Sequence, residues 1–290
     1  MKYARHRGSD RPSRRSYPPA LEARLKPLRA AITVLDVDEA ALDGGSARAL
    51  DALEPPHAGC RCLVLDLRRV ASIDAPGAQA LLRLGQRLQA RGVTLSLAGL
   101  ADGSAPARAL RADAASLTLW PDADRAIEAA ERQLLGDLLA DAVAEVPLAE
   151  SSLLQGLSPE QCGAVSARMQ VRSLGAGEPL FVAGDPADGM FVLTRGSISI
   201  LSPEKNGRTQ RYLTISPGAM LGETAMLDGG GRSATAVADT AAVVHWLRPG
   251  ALYALERDDP AIAIRLYHNI AHHLSQRLRV ISAVWQTGPG

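Results

Sequence analysis

The 290-residue sequence predicts two domains of different class: an α/β domain, then an antiparallel β-roll or jelly roll with flanking helices. Two observations carry this. From about Ala31 to Ala140 the apolar residues alternate between short strand-like runs and stretches of helical period. From Met169 to about Leu247 the helical period disappears, and short β-type runs alternate with glycine turns. With 47% hydrophobic but only 3% aromatic residues, both cores must be built mainly from Leu, Val, Ile and Ala.

The opening stretch, residues 1–20, carries Lys2, Arg5, Arg7, Arg11, Arg14 and Arg15 against Asp10 alone, with Gly8, Pro12 and Pro18 interspersed. It reads as a basic disordered tail, or as a linker lying on an anionic membrane surface. The first domain follows over residues 25–140. Ala31–Leu35 is a short strand, and Cys62–Leu67 is an apolar run of the kind buried on both faces of a sheet. Ala78–Arg91 places Leu81, Leu82, Leu84 and Leu88 at helical spacing, Gly92 closes that helix, and Val93–Ala98 returns as a strand. Strand, helix and strand at this spacing form a βαβ unit with parallel neighbours and a right-handed crossover. A short helix over Ala105–Ala112 and a longer one over Pro121–Ala140 complete the domain, the latter with Ala123, Ile127, Ala130, Leu134 and Leu138 on one face.

Residues 141–152 are the junction, interrupted by Pro147, with Ser151-Ser152 read as a helix cap. The second domain occupies residues 153–285. Its β-type runs are Pro179–Val182, Met190–Leu193 and Ile198–Leu201, with turns at Gly184-Asp185, Arg195-Gly196 and Asn206-Gly207. Ala261–Trp285 closes the chain as an amphipathic helix, with Ile262, Leu266, Ile270, Leu274, Leu278 and Ile281 along one stripe. That stripe fits packing against the roll, a homodimer seam, or an element that moves when a ligand binds.

Lys+Arg 32 against Asp+Glu 31 leaves a net charge of +1, so no global electrostatic case for nucleic acid or membrane exists. No apolar run reaches the ~18–20 residues of a membrane span and no signal-peptide core follows Met1, which predicts a cytoplasmic chain. Cys60, Cys62 and Cys162 have no metal spacing and read as reduced, buried thiols. The histidines are scattered, and no nucleophile–base pair or dinucleotide-binding glycine pattern occurs. The sequence therefore predicts no enzyme, no metal and no cofactor.

The segment Leu221-Gly-Glu-Thr-Ala-Met-Leu-Asp-Gly-Gly-Gly-Arg-Ser-Ala-Thr235 carries the chemistry. Gly222 lets backbone approach a ligand closely, and a small helix opening there offers free N–H groups. Glu223 supplies an acceptor carboxylate, and Arg232 a planar guanidinium suited to a phosphate oxygen. Together these are the requirements for a ribose phosphate; a purely structural pairing of Arg232 with Asp228 or Glu223 is the competing reading. The segment resembles the phosphate-binding cassette of the cyclic-nucleotide-binding domain family, and Gly177-Glu178, Gly184-Asp185, Asp188, Phe191 and Gly196 fall where that roll places its turns and core. The resemblance covers about Leu153 to Val284. It implies that Glu223 binds the ribose 2′-hydroxyl, Arg232 the cyclic phosphate, the N–H groups of Gly222, Thr224 and Ala225 the same phosphate, and Ser233 adds a hydroxyl. Thr224 stands where an apolar residue is usual and Leu221 where Phe is common; cAMP and cGMP are both open.

In the first domain, Leu63–Leu82 followed by Arg91–Ala98 resembles the STAS family, which includes anti-sigma-factor antagonists and the cytosolic tails of SulP-type anion transporters. The match spans about Ala31 to Leu139 and implies a mixed sheet with helices packed on one side. In the antagonists the residue after the loop aspartate is a serine that a partner kinase phosphorylates. Here Ala75 follows Asp74, so phospho-switching at this loop is unavailable, and Asp74 reads as an N-cap. The order of the two domains is similar to SulP-type transporter tails and to the regulatory tail of some bacterial glutaminases. The resemblance implies a non-enzymatic sensor that binds cAMP or cGMP and signals through the STAS domain to a protein partner, with a membrane transporter as one candidate. No helix-turn-helix follows the last helix, so DNA is not expected as a partner. The alternatives are a ligand-free scaffold and a detached regulatory subunit.

Overall fold

The computed structural model describes residues 1–17, 19–100, 104, 107, 108, 110, 117–136, 145–203 and 209–286. The turn expected at Asn206-Gly207 lies outside these residues, as do residues 141–144 of the junction and most of the helix expected over Ala105–Ala112. The chain divides into two units: Met1–Ser13 with Glu22–Gly136, and Arg14–Leu21 with Asp137–Gly290.

The first unit contains β1 (Tyr3–Arg7), β2 (Ile32–Val37), β3 (Ala41–Leu42), β4 (Cys62–Asp66), β5 (Ser72–Ile73), β6 (Thr94–Ala98) and β7 (Thr118–Trp120). Its helices are α1 (Pro19–Leu28), which begins in the second unit, α2 (Gly44–Asp51), α3 (Ala75–Gln89) and α4 (Ala123–Leu135). Every residue of β4 is buried, and a strand apolar on both sides needs a covering layer on each. The sheet, ordered β1-β2-β4-β6-β7, has both. Leu63, Leu65, Leu95 and Leu97 pack with Leu81, Leu84 and Leu88 of α3, while Val34, Cys62, Val64 and Ala98 pack with Ala126, Ile127 and Ala130 of α4. The one-sided packing implied by the STAS resemblance is thus replaced by helices on both faces. Strands β2, β4, β6 and β7 are parallel, as the βαβ reading requires.

The expectation of a disordered basic tail is corrected. Tyr3–Arg7 pairs antiparallel with β2, from Tyr3 opposite Val37 to Arg7 opposite Thr33. A ladder is made by backbone, so an edge strand can keep charged side chains in water while it pairs; composition alone hides it. Beyond the strand, the Ser13 N–H (3.1 Å) and hydroxyl both donate to Glu131, which also accepts from Arg29 Nε at 2.7 Å. In the second unit, the Ser16 N–H donates to the Thr214 carbonyl at 2.8 Å.

Asp74 caps α3, accepting from the Gly77 N–H at 2.7 Å, as its position predicts. All three cysteines are free and buried, and burial pushes the Cys62 thiol up to about 11, which keeps it unreactive near neutral pH.

The second unit holds β8 (Gln170–Leu174), β9 (Pro179–Phe181), β10 (Met190–Arg195), β11 (Ile198–Pro203), β12 (Thr209–Ile215), β13 (Met220–Leu221), β14 (Thr235–Ala238) and β15 (Ala242–Leu247). They form two four-stranded antiparallel sheets, β13-β10-β15-β8 and β12-β11-β14-β9. Phe191, Leu193, Ile198, Ile200, Leu213 and Val244 fill the core of the roll. Flanking it are α5 (Pro159–Ser166), α6 (Glu223–Asp228), α7 (Pro249–Asp258) and α8 (Pro260–Gln286). Ser158, with Gln161 as its reciprocal partner, caps α5, and Ser151-Ser152 caps nothing: the Ser151 and Ser152 hydroxyls are buried without hydrogen-bond partners.

On α8, Ile262, Leu266 and Ile270 are buried as expected, but Leu278 is 65% exposed. Steps of four residues advance about 40° beyond a full turn, so Leu278 has drifted about 160° from Ile262. The buried face continues instead through Asn269 and His273. Among the described residues no helix is long and apolar enough to cross a membrane.

Candidate functional site

The site grows out of the end of β13, which pairs with β10. Gly222 follows with φ +79°, a left-handed conformation that turns the chain into the six-residue helix α6. A Cβ at this position would lie 2.6 Å from Arg232 Nη1, so only glycine lets backbone and guanidinium meet. The loop after α6 is pinned by two hydrogen bonds to the opposite turn: the Gly184 N–H donates to the Arg232 carbonyl, and the Arg232 N–H to the Asp185 carbonyl, each at 2.8 Å.

This anchoring drives the Arg232 side chain inward, where the residue is 3% exposed. Nη1 donates to the Gly222 carbonyl at 2.9 Å. Nη2 donates to Asp188 Oδ1 at 2.6 Å and to the Gly189 carbonyl at 2.7 Å. The guanidinium lies 4.4 Å from the ring centre of Phe181 and 5.5 Å from that of Phe191, so aromatic faces replace water around the charge. Its Nε has no hydrogen-bond partner. The structural partner of Arg232 is therefore Asp188, and neither Asp228 nor Glu223. Both alternatives were local in sequence, whereas Asp188 is brought close by the roll.

Glu223 is fully buried. Its Oε1 accepts from Arg277 Nη1 of α8 at 2.5 Å, and its Oε2 has no partner. Burying a carboxylate is costly unless it is paired, and the arginine supplies that pairing. His273, one turn earlier on α8, is 8% exposed, and its Nε2 also lacks a partner. Burial holds its imidazole below the usual histidine range, against the upward pull of Glu223 and with a downward push from Arg277. The unfolded chain therefore takes up a proton that the folded chain resists. Stability from this group should be full above the ordinary histidine pKa of ~6.5 and fall as pH drops below it. The melting temperature should decline between pH 7 and 5.5, and His273→Gln should flatten that decline; an unchanged slope would remove His273 as its cause.

Of the residues predicted from sequence, the structure brings Gly222 and Arg232 into contact and buries Glu223, Ala225 and Arg232. The side chains of Thr224 and Ser233 face solvent. Sequence reasoning gave no site role to Asp188 or Arg277. In the sequence, Asp188 reads only as one of the turn and core positions of the roll. Arg277 is 54 residues from Glu223, but its phase was readable: it lies about 60° round the helix from Ile262, close to the buried face. Among the described residues no group of three or more His, Cys, Asp or Glu side chains is placed to hold a metal ion.

A profile of the STAS domain matches residues 26–109, and a profile of the cyclic nucleotide-binding domain matches residues 171–259. The chain carries a STAS domain followed by a cyclic nucleotide-binding domain, both regulatory in type. It is 33% identical over 238 residues to Glutaminase 2 of Bradyrhizobium diazoefficiens, covering 79% of this chain and 36% of that protein. Glutaminase 1 of the same organism is 31% identical over 228 residues, with 76% and 36% covered. The Cyclic AMP receptor protein of Thermus thermophilus is 32% identical over 133 residues, 44% of this chain and 58% of that protein. The chain thus spans about 36% of the length of either glutaminase.

Proposed function

We propose that this chain is a non-enzymatic regulatory module that binds cAMP or cGMP and signals through its STAS domain to a protein partner. The observation that carries the reading is the pair of buried opposite charges, Arg232 and Glu223, each with one polar atom unsatisfied. A cyclic phosphate accounts for the first, accepting from Nε and taking Nη2 from Asp188. A ribose hydroxyl accounts for the second, donating to Glu223 Oε2. The N–H groups of Gly222, Thr224 and Ala225 and the Ser233 hydroxyl complete the proposed contacts. The partner side lacks phosphorylation chemistry at its main loop, because Ala75 has no hydroxyl. The likeness to proteins named glutaminases supports an enzyme as the regulated partner, beside the transporter reading, and recovery from soluble or membrane fractions separates the two.

One observation favours the ligand-free scaffold: both terminal nitrogens of Arg232 already have partners within the protein. Thermal unfolding with saturating cAMP and with cGMP decides between them. A ligand at 100 times its Kd adds about 2.7 kcal/mol, a shift on the order of 10 °C for a domain of this size. No shift with either nucleotide at millimolar concentration would leave the scaffold.

A further inference from the structure

We propose that His268 and His272 of α8 form a binding site for a late first-row divalent transition metal, Cu2+, Ni2+ or Zn2+, on the outer face of that helix. The two histidines are four residues apart within one continuous helix, Pro260–Gln286. Residues at this spacing lie one above the other on the same face, with Cβ atoms about 5–6 Å apart. Imidazole nitrogens sit about 2.0–2.1 Å from a bound zinc, so two side chains at that separation reach a single ion without distorting the helix. The burial pattern fixes which way they point. Asn269, Ile270 and His273 are buried against the unit, whereas His268, Ala271 and His272 are exposed.

The third histidine of the helix is excluded from the pair by the same pattern, because His273 lies on the buried face. The donor set also defines the metal class. The helix PAIAIRLYHNIAHHLSQRLRVISAVWQ contains no aspartate or glutamate, so it offers nitrogen donors and no carboxylate oxygen. Mg2+ and Ca2+ require oxygen ligands, while imidazole suits copper, nickel and zinc, with Cu2+ held most tightly in that series. Water completes the coordination. Metal and protons compete for the same ring nitrogens, so binding weakens on acidification.

The test is calorimetric titration of the full chain with Cu2+, Ni2+, Zn2+ and Mg2+ at neutral pH, alongside His268→Ala and His272→Ala. The expected result is one saturable Cu2+ site per chain, weaker binding of Ni2+ and Zn2+, and no heat with Mg2+. Each substitution should weaken Cu2+ binding at least ~10-fold, equivalent to about 1.4 kcal/mol. Both side chains are exposed, so the variants should keep the wild-type circular dichroism spectrum and melting temperature without metal, and lose the metal-induced rise in melting temperature. Absence of saturable binding in the wild type, or undiminished binding in either variant, would overturn the proposal.

Discussion

Glu131→Ala is expected to destabilise the first domain by about 3–5 kcal/mol, the range for removing one partner of a buried ion pair. Glu131 is fully buried on α4 and is the acceptor for the Ser13 N–H, the Ser13 hydroxyl and Arg29 Nε. Arg29 is itself 6% exposed and, among the described residues, would keep Glu22 as its acidic partner. The Ser13 N–H and hydroxyl would lose the Glu131 carboxylate as an acceptor, which contributes to that loss. Glu131→Gln keeps an acceptor but not the charge and should lose less. Chemical denaturation gives the magnitude, and amide exchange gives the location: protection should fall first in β1 and the segment after it. A loss under ~1 kcal/mol would mean that the cluster does not hold the N-terminal segment in place.

The largest expected effect on binding belongs to Arg232→Ala, at least ~100-fold in cyclic-nucleotide affinity, or about 2.7 kcal/mol. Truncating one member of a desolvated, hydrogen-bonded charge pair costs about 2–5 kcal/mol, and the rings of Phe181 and Phe191 keep this guanidinium away from water. The same substitution strips the Gly222 and Gly189 carbonyls of a donor, so some stability is lost as well. Asp188, with a side chain 54% exposed, can return to water and adds little to that loss. Arg232→Lys separates the two roles. It preserves the charge but not the planar fork, and should restore part of the stability and only a minor part of the affinity. Equal recovery of both would indicate that Arg232 is structural.

The α/β order and the roll could be read from local pattern, as could the candidate residues Gly222, Glu223 and Arg232. Cys62–Asp66 is apolar on both sides because layers cover both faces, and Asp74 before Ala75-Pro76 announces a cap. Gly222 and Glu223 are adjacent in sequence and stand at the mouth of a short helix, so the contact of Gly222 with Arg232 needed only the loop between. The remainder depended on information that is not local. Edge strand β1 carries the composition of a solvated tail because its stabilising bonds are made by backbone. The Arg232–Asp188 pair joins residues brought together only when β9, β10 and β14 are assembled. Arg277 was concealed by a stripe drawn in steps of four, which slides off the buried face over the length of α8. Helix phase, followed at 100° per residue, recovers both Arg277 near the cassette and the exposure of Leu278.

The regulatory reading rests on uptake of a cyclic nucleotide at Glu223 and Arg232. Calorimetric titration of the wild-type chain with cAMP and then cGMP tests it most directly. One site per chain is expected, with a Kd near micromolar for at least one of the two, about −8 kcal/mol. Absence of binding by both at millimolar concentration would contradict that reading and leave Arg232 and Glu223, each held by its own protein partner, as part of a scaffold.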